Sequence, residues 1–443
     1  MRQYLSQKVV HISPPQFLSL SFAVIILLGT LLLKLPFATT APLLWIDALF
    51  TAASATTVTG LVVVDTGGTF TVFGQVVIMV LIQIGGLGLM TFAVLIFIIF
   101  GKKIGLKQRL IVQEALNATS IGGLIRLIRT LSIFALLIEG IASLILAIQW
   151  VPEYGWAFGL YTSLFHAVSA FNNAGFSLWD DSLTQYVGHP LINIVISFCF
   201  IIGGIGFTVI ADLAGKRKFK NLSLHSKLMI TGTFAVNFIV MLCFFFLEFN
   251  NPASIGNLPL NEKMWASYFQ AVTPRTAGFN SLEIGELRQD TIMIMILLMF
   301  IGAGSGSTGS GIKLTTFLVM VLACIAFLKG QEEPVVFKRA IRQHTILRAL
   351  SIIVISLLFV FMSLFVLLLT EKVPFLIVLF EAVSAFGTVG LSMGLTPELT
   401  DIGKQIIILM MFIGRVGPLT LAFTIAKPKR SAIRYPADDI FTG

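Results

Sequence analysis

One segment occurs four times along the chain, and no fold can ignore it. The copies read Phe50-Thr-Ala-Ala-Ser-Ala-Thr-Thr-Val-Thr-Gly60-Leu61, Phe165-His-Ala-Val-Ser-Ala-Phe-Asn-Asn-Ala-Gly175-Phe176, Phe269-Gln-Ala-Val-Thr-Pro-Arg-Thr-Ala-Gly278-Phe279 and Phe380-Glu-Ala-Val-Ser-Ala-Phe-Gly-Thr-Val-Gly390-Leu391. The Phe-to-Gly separation is 10, 10, 9 and 10 residues, and the glycines lie 115, 103 and 112 residues apart. Self-similarity at a fixed period means one structural unit used repeatedly.

Each copy sits between two long apolar runs. The first runs cover residues 16–33, 127–150, 228–247 and 349–370, and the second cover 72–100, 190–211, 291–328 and 403–426. About 20 residues at 1.5 Å each cross a hydrocarbon layer of about 30 Å, so eight membrane spans are predicted. The composition agrees: 56% of residues are hydrophobic and 12% charged, with a mean hydropathy of +0.95. Soluble chains carry about 25% charged residues, so a soluble enzyme is excluded. Cys199, Cys243 and Cys324 all lie in apolar runs, which leaves neither a disulfide framework nor a thiolate metal cluster.

The net charge of +9 is distributed in clumps between these runs. Arg2 and Lys8 precede the first run; Lys102, Lys103, Lys107, Arg109, Arg126 and Arg129 form one group, and Lys216, Arg217, Lys218, Lys220 and Lys227 another. Lys329, Lys338, Arg339, Arg342 and Arg348 follow, then Lys427, Lys429, Arg430 and Arg434. Basic segments that alternate with spans mark the cytoplasmic side of a cell membrane, not a nucleic-acid patch, so both termini are predicted inside. No cleavable leader is expected, because Lys34-Leu-Pro36 follows the first run.

The repeated segment is too short to cross as a helix and too apolar to lie in water. A helix of about ten residues reaches about 15 Å, half the layer, so the segment is predicted to be re-entrant from the outer face and to return as extended chain. Irregular backbone at that depth is tolerated only where it lines a water-filled path. Four such segments around one axis would present backbone carbonyls in place of an ion's hydration shell, helped by the negative ends of four helix dipoles. The ion-binding filter candidates are therefore Thr57, Val58, Thr59 and Gly60; Asn172, Asn173, Ala174 and Gly175; Arg275, Thr276, Ala277 and Gly278; and Gly387, Thr388, Val389 and Gly390. The third copy is one residue shorter and carries Pro274 and Arg275.

Each second run has a glycine cluster 24 to 28 residues after the filter glycine. Gly85-Gly86-Leu-Gly88, Gly203-Gly204-Ile-Gly206 and Gly414-Arg415-Val-Gly417 are read as close-packing positions. The third cluster differs in kind. Gly302, Gly304, Ser305, Gly306, Ser307, Thr308, Gly309, Ser310 and Gly311 cannot hold a helix, so a flexible loop is predicted mid-span, standing in the pore. A phosphate-loop match fails because Ile312-Lys313-Leu314 follows Gly311. Lys313 is expected to anchor the loop or to repel cations. Arg415 is a costly charge in mid-membrane, placed to hydrogen-bond the loop carbonyls or repel cations, and the loop with Arg415 forms the gate candidate. Glu139, also mid-span, is left without an assigned role, a snorkelling or interhelical contact being favoured over a part in transport. His166 and Glu381 stand where the other copies have Thr51 and Gln270, which excludes a fourfold side-chain ring. Asp65, Asp180, Asp181, Glu283 and Glu286 lie near the outer mouth, as cation concentrators or plain surface charges.

On the four filter segments, the 302–311 insert and Arg415, the chain resembles membrane subunits of the Trk/Ktr/HKT superfamily of potassium transporters, most of all the short bacterial Ktr type. The resemblance covers nearly the whole length. It implies an all-α multi-pass membrane protein of four M1-P-M2 repeats, with eight transmembrane helices and four re-entrant pore helices around one central pore. The repeats are drawn at 1–110, 111–220, 221–335 and 336–443. A glycine in all four filters goes with potassium selectivity in that family, and Gly60, Gly175, Gly278 and Gly390 match. The family's loop and arginine form an intramembrane gate below the filter. Resemblance also implies a homodimer, a cytosolic RCK-type ring binding ATP or ADP, and Na+ as an activator of K+ transport. No enzymatic activity or organic cofactor is expected. The competing readings are an ion-coupled secondary transporter working by alternating access, which four loops entering from one face disfavour, and an assembly scaffold, which leaves the four glycines unexplained.

Overall fold

The computed structural model describes residues 14–88, 124–216 and 218–418. The basic groups at Arg2 and Lys8, at 102–109, at Arg217 and at 427–434 lie outside the described residues, as does the boundary drawn at 110/111.

Helices dominate. The first copy comprises α1 (Pro14–Leu33), α2 (Trp45–Thr57) and α3 (Val72–Leu87), and the second α4 (Leu124–Tyr154), α5 (Trp156–Phe171), α6 (Pro190–Ile205) and α7 (Phe207–Gly215). The third has α8 (Leu224–Glu248), α9 (Leu260–Val272), α10 (Gln289–Phe300) and α11 (Leu314–Leu328). A short hairpin, β1 (Val335–Val336) with β2 (Arg339–Ala340), leads to α12 (Gln343–Thr370), α13 (Phe375–Gly387) and α14 (Asp401–Val416).

Among the described residues, Gln16–Leu33 of α1, Arg129–Tyr154 of α4, and all of α8 and α12 are long and apolar enough to cross a bilayer individually. They turn large apolar side chains outward, Leu28, Phe234 and Phe361 among them, which suits lipid and not water. The short helices α2, α5, α9 and α13 are the buried ones: Phe50, Phe165, Phe269 and Phe380 are all fully enclosed.

The second runs are not continuous spans. In the second copy the predicted span 190–211 breaks at Gly206, where α6 and α7 meet at 91°. Gly88, Gly206 and Gly417, each the last glycine of its cluster, take φ of 82°, 104° and 94°, a backbone region that side chains obstruct, and each ends a helix. These clusters are thus breaks as well as packing points, a correction to the sequence reading, and they fall where the third copy inserts its loop. The earlier glycines do pack closely. A Cβ on Gly85, Gly203 or Gly414 would drive into the carbonyl oxygen of Thr56, Phe171 or Phe386, in the last turn of the same copy's short helix. The remainders of the predicted spans 72–100 and 403–426 lie outside the described residues.

The copies close into a cycle. The second-run helix of each packs against the short helix of the next: α3 on α5, α6 on α9, α10 on α13, and α14 back on α2. The four short helices are therefore surrounded, and the segments that follow them meet in the middle.

Candidate functional site

Each short helix ends in the same sequence of backbone states. A non-glycine residue in the left-handed region comes first: Val58, Asn173, Thr276 and Thr388, with φ of 59°, 58°, 67° and 49°. Two residues later stands the filter glycine, with φ of 93°, 68°, 79° and 93° for Gly60, Gly175, Gly278 and Gly390. Three of the four left-handed residues are β-branched, for which this conformation costs on the order of 1–3 kcal/mol. The shorter third copy keeps the pattern by tightening its turn. The Ala277 N–H donates to Thr273 O four residues back, whereas Thr59, Ala174 and Val389 donate to Ser54, Ser169 and Ser384 O five residues back, at 2.8, 2.8 and 2.9 Å.

The four glycines form a closed ring. A Cβ on Gly60 would meet the carbonyl oxygen of Ala174, one on Gly175 that of Ala277, one on Gly278 that of Val389, and one on Gly390 that of Thr59. Each strand thus lays the carbonyl before its own glycine against the glycine of its neighbour. In extended chain an N–H turned back to its helix leaves the same residue's carbonyl facing the other way. All four carbonyls are buried, and among the described residues none accepts a hydrogen bond from the protein. Buried carbonyls are paired in more than nine cases in ten, so four unpaired together at one point call for another partner. The C-terminal ends of α2, α5, α9 and α13, each worth about half a negative charge, lie two to five residues before the ring carbonyls, so a cation suits it.

Side chains brace this ring from behind, and the sequence reading passed over them. Ser54 and Ser384 hydroxyls accept from the N–H of Gly60 and Gly390 at 3.1 and 3.2 Å. Ser169 and Thr273 hydroxyls donate to the carbonyls of Phe176, at 2.8 Å, and Phe279. The signal was the hydroxyl four residues after each repeated Phe. Three positions before that hydroxyl, in three copies, a polar side chain holds the outgoing strand. His166 Nε2 lies 3.1 Å from Ser177 Oγ, Glu381 is bonded to Thr396, and the Gln270 amide oxygen accepts from the N–H of Ser281 and Leu282 at 3.2 Å.

Two filter candidates point their side chains away. Arg275 donates to Asn237 Oδ1 at 3.0 Å, on α8, and does not line the ring; only its backbone belongs to the hairpin. Asn172 reaches Gln83 Oε1 at 2.8 Å and Glu139 Oε1 at 3.1 Å, and Glu139 also accepts from Gln83 Nε2. Glu139 therefore makes an interhelical contact and does not snorkel, tying α3 and α4 to the end of α5.

The glycine loop lies across one side of the ring. It is not free-swinging as the sequence suggested. Ile301 and Ile312 pair as a parallel bridge that closes its base, with Gly302 N–H donating to Ile312 O at 2.7 Å. Gly304 and Thr308 N–H groups donate to Gly204 and Gly203 O, and Phe207 N–H to Gly306 O. Ser307 closes a turn onto Gly304 O at 2.7 Å. The loop touches the second, third and fourth copies directly, with Thr308 Oγ1 2.7 Å from Asn173 Oδ1, Gly309 against Thr276 and Gly311 against Gly387, and it is joined to the first through Arg415. Arg415 donates to Thr308 O and to Ser310 Oγ, the latter at 2.9 Å, and with its other nitrogen to Gly85 O and Gly86 O. Lys313 Nζ donates to Gly309 O at 2.8 Å, and Ser305 borders a cavity on the loop's far side.

The acids predicted near the outer mouth make local contacts. Asp65 accepts from the N–H groups of Gly67 and Gly68, Asp180 from Asp181 N–H, and Asp181 from the Thr184 hydroxyl. Glu283 and Glu286 flank and close a single 3-10 turn.

A buried ring of backbone carbonyls, fed by four helix ends and crossed by a pinned loop, defines a protein that passes cations. The chain belongs to the TrkH family of cation transport proteins, whose family model matches residues 13–435. It is 62% identical over 436 residues to the Ktr system potassium uptake protein B of Bacillus subtilis, covering 98% of each chain. It is 39% identical over 442 residues to the potassium/sodium uptake protein NtpJ of Enterococcus hirae, again covering 98% of each. The fold matches the crystal structure of the potassium transporter TrkH from Vibrio parahaemolyticus with a TM-score of 0.75 at 19% identity, over 96% of this chain and 86% of that one. Family and apolar helices together make this a multi-pass membrane transporter and not an enzyme.

Proposed function

We propose that the chain is the potassium-translocating subunit of a bacterial K+ uptake system. The observation that carries this is the set of four unpartnered carbonyls, of Thr59, Ala174, Ala277 and Val389, arranged around a closed glycine ring. A dehydrated potassium ion needs such oxygens and no more chemistry than that. The four copies act as M1-P-M2 units, divided at 1–110, 111–220, 221–335 and 336–443, with α2, α5, α9 and α13 re-entrant around one central pore. The broken second helices count as spans in this reading, giving eight.

The gate is the 302–311 loop with Arg415 and Lys313. Thr308 Oγ1 bonds Phe171 O and Asn173 Oδ1 at the foot of the second filter segment, and the Arg415 guanidinium bonds the loop to the first copy. Both features support a closed pore that opens when these bonds are exchanged. The basic loops support cytoplasmic termini. The name of the Bacillus subtilis relative, a protein of the Ktr system, supports a multi-component assembly, here a homodimer docked on a cytosolic RCK-type ring that binds ATP or ADP. The name of the Enterococcus hirae relative supports sodium as a second ion, as activator or competitor.

Reconstitution in liposomes tests the proposal. Current should reverse at the potassium equilibrium potential; a reversal displaced by a proton or sodium gradient would replace the pore with ion-coupled alternating access.

A further inference from the structure

A cavity of about 510 Å³ opens between the first turns of α8, α11 and α12. That volume lies within the roughly 300–1,000 Å³ of small-ligand sites. Its polar lining includes His225, Ser305, Lys313, Arg342, Thr345 and Arg348, and it contains no Asp or Glu. Among the described residues no carboxylate lies within ion-pair distance of Lys313, Arg342 or Arg348.

Three helices begin here. Leu224 and His225 open α8, Lys313 is the N-cap of α11, and Arg342 is the N-cap of α12. Neither α11 nor α12 has a side-chain cap, and although the Leu314 N–H donates to Ala303 O at 3.1 Å, the helix starts still bring about half a positive charge apiece to the cationic side chains. Like charges gathered in one cavity repel unless an anion shares the space.

We propose that this cavity binds a phosphate-bearing anion and that, through Lys313, the anion sets the hold on the glycine loop. This rests on the gate reading above. Lys313 Nζ now donates to the neutral carbonyl of Gly309 at 2.8 Å, and Ser305 belongs to the loop itself. A phosphate oxygen is the stronger acceptor for an ammonium group, so an anion in the cavity draws Lys313 away from Gly309 and loosens the loop.

The phosphate can come from an anionic lipid headgroup or from a free ester. The adjoining hairpin exposes Val335, Phe337, Lys338 and Arg339, a mix of apolar and basic side chains that suits the headgroup layer.

The test uses the full chain and its Arg342→Gln/Arg348→Gln variant, neither residue being part of the filter or gate. Retained phosphatidylglycerol is counted by native mass spectrometry, and inorganic phosphate binding is measured by equilibrium dialysis. Binding of one probe that weakens at least about tenfold in the variant is expected, the size that follows from losing charge-assisted bonds. Equal binding by both proteins, or no binding of either probe, overturns the site. Rubidium uptake is then compared in phosphatidylcholine vesicles alone, with added phosphatidylglycerol, and with inorganic phosphate. Stimulation by lipid alone assigns the headgroup, and stimulation by phosphate alone assigns the free ester. Binding without any stimulation overturns the link to the loop. Failure of the gate reading is seen separately, as unaltered flux in Arg415→Ala with anion binding intact.

Discussion

Lys404 Nζ lies 2.7 Å from Asp47 Oδ1, joining the first turn of α14 to the first turn of α2, and each side chain is only 11% exposed. The pair links the last copy to the first, so it fastens the cycle where the chain itself does not. Removing one partner strands a buried charge. Lys404→Met is expected to cost about 3–5 kcal/mol and Asp47→Leu/Lys404→Met much less. Thermal unfolding in detergent measures both; equal midpoints for Lys404→Met and the parent protein would show that the pair does not hold the cycle shut.

Gly278 combines a φ of 79° with a neighbour's carbonyl where its side chain would be. Gly278→Ala must move Val389 O and widen or close the ring. Potassium uptake should drop by at least about tenfold, or selectivity over sodium should fall, for a distortion of about 1–3 kcal/mol. Flux with competing sodium distinguishes these outcomes, and a folded variant with parental uptake and selectivity contradicts the carbonyl ring.

Arg415 makes hydrogen bonds to Thr308 O, Ser310 Oγ, Gly85 O and Gly86 O. Charge-assisted bonds contribute about 1.5–3 kcal/mol each, so Arg415→Ala should raise flux about tenfold or more by releasing the loop. Rubidium uptake into liposomes reads this directly. A correctly folded variant with unchanged uptake counts against the gate.

Glu139 holds the Asn172 amide and Gln83 in a buried cluster. Glu139→Ala leaves both amides without that acceptor, at a cost of about 1–3 kcal/mol. The strain falls on one filter strand, so sodium exclusion is expected to weaken while transport persists. Glu139→Gln should retain most of the discrimination. Identical selectivity in all three proteins would make the cluster purely structural.

Much of this arrangement was legible in the residues. The repeated Phe and Gly marked where the short helices are enclosed and where the ring forms, because both positions answer to constraints that act locally: full burial of the one and a positive φ at the other. The loop and its arginine were equally readable, since a run of glycines and a lone charge are both costly inside a membrane. The bend at Gly206 was not, because one glycine in an apolar run fits a packing contact as well as a break, and only its neighbours decide. The direction of the Arg275 side chain was hidden for a related reason. Its place in the filter segment is a property of the backbone, while its side chain answers to Asn237 and Thr233 on a helix many residues earlier. The bracing hydroxyls of Ser54, Ser169, Thr273 and Ser384 were in plain view within the repeat, but their role depends on which way the returning strand faces.

A single polypeptide supplies every quarter of the oxygen ring, and the quarters are not alike. In an assembly of identical chains one altered codon strikes all four positions at once. Here it strikes one, so Thr59, Ala174, Ala277 and Val389 can each drift under separate selection, and the third quarter alone could acquire a long insertion without any counterpart in the rest. Fourfold symmetry has been exchanged for the freedom to place a single loop.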